Sequence, residues 1–255
     1  MTTVVQYGVE SGVARLTLDS PHNRNAISTA LVEQLTRGLS DAAADPSVRV
    51  VVLGHTGGTF CAGADLSEAA GRDPGELAAF RAREATQMLR AILELPVPVI
   101  AAVDGHVRAG GMGLIGACDL VVAGSASTFA LTEARIGVAP SIISLTLLPK
   151  LTARAAGRYF VTGEKFGAPE AERIGLITVA TDDVPGVVAA LTGEITQGSP
   201  QGLRVSKSLT TAAILEGFDR HADTLAAQSA ALFVSDEARE GMMAFLQKRP
   251  AQWNS

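Results

Sequence analysis

The sequence predicts an α/β fold in which strand–strand–helix units follow one another as turns of a coiled stack, closed by helices at the C-terminal end. Three observations predict it. Residues 48–53 and 98–103 are near-continuous apolar runs, the pattern of strands covered on both faces. Each run is followed by a glycine-rich loop and then a helical stretch, so one unit recurs along the chain. From about Ser141 onward the pattern is mostly helical, and the last helices, about Pro200–Gln247, carry apolar stripes suited to a separate layer.

The elements follow in order. Val13–Leu18 reads as a strand, ended by the turn-rich Asp19-Ser20-Pro21-His22-Asn23. A helix starts near Ser28, a suitable N-cap, with Leu31, Leu35 and Leu39 repeating at every fourth position, and Asp45-Pro46 breaks it. After the apolar run of residues 48–53 come the loop Gly54–Asp65 and a helix that stops before Pro96-Val97-Pro98. The next buried strand ends at Val103, Gly105–Gly116 is glycine-rich, and Leu120–Ala123 and Thr128–Leu131 read as short strands. Leu176–Ala180 is strand-like within the helical part, and Ser199-Pro200 places an N-cap before a proline at the first helical position. The segment Gly71–Ala79 is a loop expected to shape a substrate pocket.

Composition narrows the function. The 255 residues are 47% hydrophobic and 18% charged, enough apolar content for a full core built from aliphatic side chains, since aromatics are only 4%. A net charge of −5 without a cluster of Lys or Arg argues against nucleic acid or an anionic membrane as partner. Apolar stretches are interrupted before bilayer length, as Asp104 interrupts the run ending at Val103. Residues 1–10 have neither a basic start nor an apolar core of a secretory signal, and only Cys61 and Cys118 occur, so a reducing cytoplasmic location is expected.

Two glycine turns carry the chemistry. Gly111-Met112-Gly113-Leu114-Ile115-Gly116 spells G-x-G-x-x-G, but only Ala117, Cys118 and Asp119 separate it from the next apolar run. That is too short for the crossover helix of a dinucleotide-binding unit. A helix starting at Gly110 or Gly111 instead presents unpaired N–H groups that a ligand oxygen can approach closely. The segment Gly57–Asp65 is a second strand-to-helix glycine turn, and two such turns can offer one donor each to a single oxyanion. Two tight turns that merely need glycine would read the same way. His55 and His106 lack partners at metal spacing and read as structural or solvent-facing, so no metal is expected. No G-x-S-x-G occurs, which weakens a serine-hydrolase reading.

Phe60-Cys61-Ala62-Gly63-Ala64-Asp65-Leu66, Ile100-Ala101-Ala102-Val103-Asp104-Gly105 and the Gly110-Gly111 turn together resemble the crotonase (enoyl-CoA hydratase/isomerase) superfamily. Asn25-Ala26-Ile27, Ala117-Cys118-Asp119 and the C-terminal stretch Glu240-Gly241-Met242 to Lys248-Arg249 extend the resemblance over nearly the whole chain. It implies a crotonase-like ββα superhelix over residues 1–198, with an acyl-CoA site, and a helical oligomerisation region over 199–255. It implies that the backbone N–H groups of Ala64 and Gly110 hold a thioester enolate oxygen and that Glu133 is the acid/base. Coenzyme A then enters as part of the substrate, with no permanently bound cofactor, along Arg24, Ala26, Ala62 and Asp65. Phe245 and Lys248 would complete the site from a neighbouring subunit, and a helix donated around a ring closes as a trimer or a dimer of trimers.

The sequence departs from the family at the carboxylates. Family hydratases use two glutamates, and Gly113 stands where one of them lies. A pocket position is expected for Gly113. The family's glycine run after the second glutamate is replaced by Pro140-Ser141-Ile142-Ile143-Ser144, so Ser141 either faces the substrate or caps a helix. Arg108 replaces an apolar residue and reads as a surface arginine or as the partner of a substrate carboxylate. With one carboxylate the implied enzyme is a weak hydratase, with a Δ3,Δ2-enoyl-CoA isomerase or an acyl-CoA hydrolase or C–C lyase as alternatives. A non-catalytic acyl-CoA binder is the rival from another class.

Overall fold

The computed structural model describes residues 2–68 and 73–254. Residues 71 and 72 of the expected pocket loop Gly71–Ala79 therefore lie outside the described residues. The chain opens with a hairpin that the sequence pattern did not reveal, β1 (Val5–Glu10) paired antiparallel with β2 (Val13–Leu18). Ser11 and Gly12 both adopt positive φ, the two-residue turn whose twist matches the flanking strands. β1 is an edge strand, exposed except at Val5, so it carries no buried face to give it a readable period.

After α1 (Thr29–Ala44), capped by the Ser28 hydroxyl, the repeating unit becomes explicit. β3 (Val50–His55) and β4 (Thr59–Cys61) precede α2 (Pro74–Glu94). β5 (Val99–Val103) and β6 (His106–Arg108) precede α3 (Gly110–Ala117). β7 (Leu120–Gly124) and β8 (Thr128–Ala130) precede a single 3-10 turn, Glu133–Ile136. The first strand of each unit adds to one parallel ladder, β3 beside β5 beside β7, and the second strand adds to another, β4 beside β6 beside β8. Each turn of chain thus lies on the previous one, which is the coiled stack the sequence predicts.

The rest of the chain is α4 (Ser144–Leu147), α5 (Ala153–Thr162), β9 (Phe166–Gly167), α6 (Ala168–Arg173), β10 (Val179–Thr181), α7 (Val184–Thr196), α8 (Pro200–Phe233) and α9 (Asp236–Leu246). β10 starts later than the expected Leu176, because the Leu176 and Ile177 N–H groups both turn back to the Ala171 carbonyl and close α6. The six-stranded sheet runs β1-β2-β3-β5-β7-β10 and the four-stranded sheet β4-β6-β8-β9. α8 begins at the Ser199 cap, yet its Ile214, Phe218 and Ala226 belong to the same core as Leu16, Leu53 and Phe129. The core is continuous across the boundary expected at residue 198. No helix among the described residues is long and apolar enough to cross a membrane.

Candidate active site

The turn after β4 and the start of α3 meet. Ile27 and Ala64 form an isolated parallel bridge in which the Ile27 N–H donates to the Gly63 carbonyl at 2.7 Å and the Asp65 N–H to the Ile27 carbonyl at 3.1 Å. In that pattern the intervening Ala64 N–H points away from Ile27, and no acceptor takes it among the described residues. The Gly110 N–H, at the first position of α3, is likewise without an acceptor. The two donors are neighbours, since a methyl group built on Gly110 would stand 3.9 Å from the Ala64 nitrogen. Ala109, just before Gly110, is held at φ 47° and ψ −122°, a conformation L-residues rarely adopt. It is pinned there by its N–H bond to the Ala130 carbonyl on β8 at 3.0 Å.

Asn25 explains why an asparagine stands before Ala26. Its side chain accepts from the Ser20 N–H at 2.7 Å and donates to the Thr56 and Thr59 carbonyls at 3.0 and 2.8 Å. The side chain is fully buried and clamps the loop after β2 to the turn that leads to Ala64.

Glu133 opens the 3-10 turn after β8 and is 7% exposed. Its Oε2 has no hydrogen-bond partner. Burial pushes its carboxyl up from 4.5 to about 7, only partly opposed by a backbone hydrogen bond. A carboxylate with that value is poised to take and return a proton near neutrality.

These groups share one cavity of about 970 Å³. Ala64, Gly110 and Glu133 line it, together with Ser141, Ala26, Ala62, Asp65, Arg24 and Phe245. Its long apolar wall comes from α2, through Leu77, Ala85, Met88 and Leu89, and from Val138, Ile142 and Ile143. Arg24 is exposed and makes no ion pair among the described residues, whereas Arg81 and Arg249 are paired with Glu68 and Glu240. Asp65 is engaged as well. Its carboxylate accepts from the Ser67 N–H and hydroxyl at 2.9 and 2.6 Å and from Asn23 at 2.9 Å. Burial raises its carboxyl, but those hydrogen bonds and Arg81 outweigh burial and hold it below the ordinary range.

Several expectations are corrected by this geometry. Gly113 does not line the cavity. A β-carbon there would lie 2.4 Å from Ile143 Cγ2 and 3.4 Å from a methyl of Leu89, so Ile143 fills the space a side chain at 113 would need. Ser141 caps no helix, because α4 begins at Ser144 and the Ser141 hydroxyl is buried without a partner. Arg108 is half-buried and not a surface arginine. It spends its guanidinium on the Val107 and Thr128 carbonyls and the Thr128 hydroxyl.

The C-terminal helix also differs from expectation. α9 packs on the Glu133–Ile136 turn of its own chain, and Phe245, 58% exposed, lines its own chain's cavity. A β-carbon on Gly241 would lie 2.5 Å from the Ile136 backbone, and one on Gly137 2.5 Å from that of Glu237, so glycine on both partners permits the close approach. Lys248 follows at the end of α9 and is not among the residues lining the cavity. Sequence reasoning missed Ile143 as the cover of Gly113, although both depart from the family pattern together.

His55 and His106 hold backbone and hydroxyl partners. The Asp104 N–H donates to His55 Nε2 at 3.0 Å, and His106 Nδ1 lies 3.0 Å from the Thr128 hydroxyl. Among the described residues no three His, Cys, Asp or Glu side chains gather at one point. Cys61 and Cys118 are buried and free, with burial pushing both thiols up to about 12, so neither is a nucleophile.

Residues 8–255 match the family model described as enoyl-CoA hydratase/isomerase. The chain belongs to the enoyl-CoA hydratase/isomerase family. A crystal structure of an enoyl-CoA hydratase from Mycobacterium avium superposes with a TM-score of 0.93 at 63% identity, covering 99% of this chain and 100% of that one. The 2,3-dehydroadipyl-CoA hydratase of Escherichia coli is 32% identical over 244 residues, 93% of each chain. The mevalonyl-coenzyme A hydratase of Aspergillus fumigatus is 32% identical over 250 residues, 93% of this chain and 90% of its own. The crotonase fold expected from the sequence is thus the fold observed, and enoyl-CoA hydratase/isomerase family membership accords with a cavity large enough for an acyl thioester.

Proposed function

We propose that this chain transforms an acyl-CoA thioester through an enolate whose oxygen is held by the Ala64 and Gly110 N–H groups, with Glu133 as the one proton carrier. The observation that carries the reading is the combination of two backbone donors without acceptors among the described residues and one buried carboxylate whose Oε2 has no partner, in a single cavity. Thioester α-protons move only if the developing oxyanion is stabilised, and losing one such donor typically costs about 10²–10³ in rate. Arg24, exposed and without an ion pair among the described residues, is the cation for the nucleotide phosphates, and Ala26, Ala62 and the exposed Phe245 are the apolar surfaces beside it.

No carboxylate stands at the family's other glutamate position, because Gly113 offers no side chain and Ile143 occupies its place. Moving a proton between the α and γ carbons of a 3-enoyl thioester needs one such group. Adding water needs a group to deprotonate the water and a group to deliver the α-proton, and here Glu133 alone does both. Hydration of crotonyl-CoA is therefore slower than in a two-glutamate enzyme by about 10²–10⁴, while proton exchange is much less impaired. The test compares crotonyl-CoA hydration with solvent deuterium uptake into a 3-enoyl-CoA, in the wild type and in Glu133→Gln. Both activities fall together in the variant. Exchange that survives in Glu133→Gln sinks the role given to Glu133, and a wild type that binds acyl-CoA esters but turns over none is a binder.

A homotrimer or a dimer of trimers is part of the proposal. With α9 docked on its own chain, support for assembly comes from α8, where Val205 and Leu209 lie one turn apart and 48% and 74% exposed. Sedimentation giving a fully active monomer would refute it.

A further inference from the structure

We propose that the Ser141 hydroxyl seats an oxygen on the third carbon of the acyl chain, so that the cavity prefers 3-hydroxyacyl thioesters to their 3-deoxy counterparts. The inference rests on the acyl-CoA reading above and assigns the subsite next to Glu133.

Two buried side-chain atoms lack a partner among the described residues, Glu133 Oε2 and Ser141 Oγ, and both residues line the same cavity. Ser141 is 6% exposed. A serine hydroxyl in such a position ordinarily turns back to nearby backbone. Its neighbours do so. Ser144 donates to the Ser141 carbonyl at 2.6 Å, and Thr146 lies within reach of the Gly113 and Ile143 carbonyls at 3.2 and 3.1 Å. Ser141 does not, although its own N–H is fixed to the Ala139 carbonyl at 2.8 Å in a tight turn. A buried hydroxyl left unpaired is costly, and a ligand oxygen relieves that cost on binding.

The third carbon follows from the order of the groups. The Ala64 and Gly110 N–H groups fix the thioester oxygen and hence the first carbon. Glu133 acts on the second. Much of the wall is aliphatic, through Val138, Ile142, Ile143, Met88 and Leu89, and among the described residues Ser141 Oγ is the buried hydroxyl of this lining left without a partner. Gly113, where the family has a carboxylate, is covered by Ile143. A hydroxyl both donates and accepts, so Ser141 can hold a 3-hydroxyl or a water molecule at that place. Being neutral at pH 7, it orients the oxygen and leaves the proton to Glu133.

The experiment is calorimetric titration of the whole protein with 3-hydroxybutyryl-CoA, each enantiomer separately, and with butyryl-CoA. One neutral hydrogen bond to an otherwise unpaired buried group corresponds to a preference of about tenfold for one hydroxy enantiomer over butyryl-CoA in the wild type. In Ser141→Ala the ratio drops to about one through loss of hydroxy-ester affinity, with butyryl-CoA bound as before. A wild-type ratio of one, or an unchanged ratio in Ser141→Ala, overturns the subsite. If Ser141→Ala binds neither ester, Ser141→Thr decides, because it keeps the hydroxyl: a retained preference supports the subsite and a lost one overturns it. A wild type that binds neither ester refutes the acyl-CoA reading itself, a result distinct from an absent preference.

Discussion

Glu133→Gln tests the electrostatics of the site through folding stability, independently of turnover. The carboxyl is buried without a partner on Oε2, and burial lifts it from 4.5 to about 7. In the unfolded chain the group ionises around 4.5; in the folded chain it keeps its proton until about 7. Between those values the folded state binds more protons, so stability falls as pH rises, and the loss is complete above the folded value. At about 1.4 kcal/mol per pH unit the full loss is about 3 kcal/mol, of which about 2.5 kcal/mol falls between pH 5 and pH 8. Gln cannot ionise and makes no such contribution. The measurement is urea unfolding of both proteins at pH 5, 6, 7 and 8. The stability of the wild type minus that of the variant should decline by about 2.5 kcal/mol across that range, other titrations cancelling in the difference. Parallel profiles would mean that Glu133 is solvated in the folded protein, and the argument for a poised proton carrier would fail. Activity should follow the same group in the opposite sense, with kcat/KM rising through a midpoint near pH 7 as the base form appears.

Three further outcomes follow from close contacts. Gly113→Glu should fail to raise hydration and should cost about 1–3 kcal/mol, because its β-carbon would lie 2.4 Å from Ile143; Gly113→Glu with Ile143→Gly should raise crotonyl-CoA hydration above the single variant. Gly241→Val should release α9 from the Ile136 backbone, 2.5 Å from the new β-carbon, and be read as faster amide exchange confined to residues 236–246; uniform protection would show that the close packing is not what holds α9. Ala109→Gly relieves the positive φ before Gly110 and should raise stability by about 1 kcal/mol in thermal unfolding; a lowered Tm would show that the Ala109 conformation is not strained.

The sequence by itself determined the parts of this protein that local pattern encodes. Apolar runs of strand length at residues 48–53 and 98–103 can be satisfied only between two covering layers, and the glycine turns that follow them leave backbone donors exposed. The caps at Ser28 and Ser199 were legible from local pattern, whereas Glu133 was legible only through the family resemblance, as the residue following the strand that Thr128–Leu131 matches. What only the tertiary structure decided are contacts between residues far apart in the chain. Ile143 covers Gly113 across thirty positions, Asn25 reaches Thr56 and Thr59, and α9 returns a hundred residues later to the turn that carries Glu133. No periodicity records such meetings, since they depend on how the turns of the spiral stack and on which side chains fill the space between them. The same packing buries Glu133 Oε2 and the Ser141 hydroxyl without a hydrogen-bond partner among the described residues, and burial of this kind lifts the Glu133 carboxyl above its ordinary range.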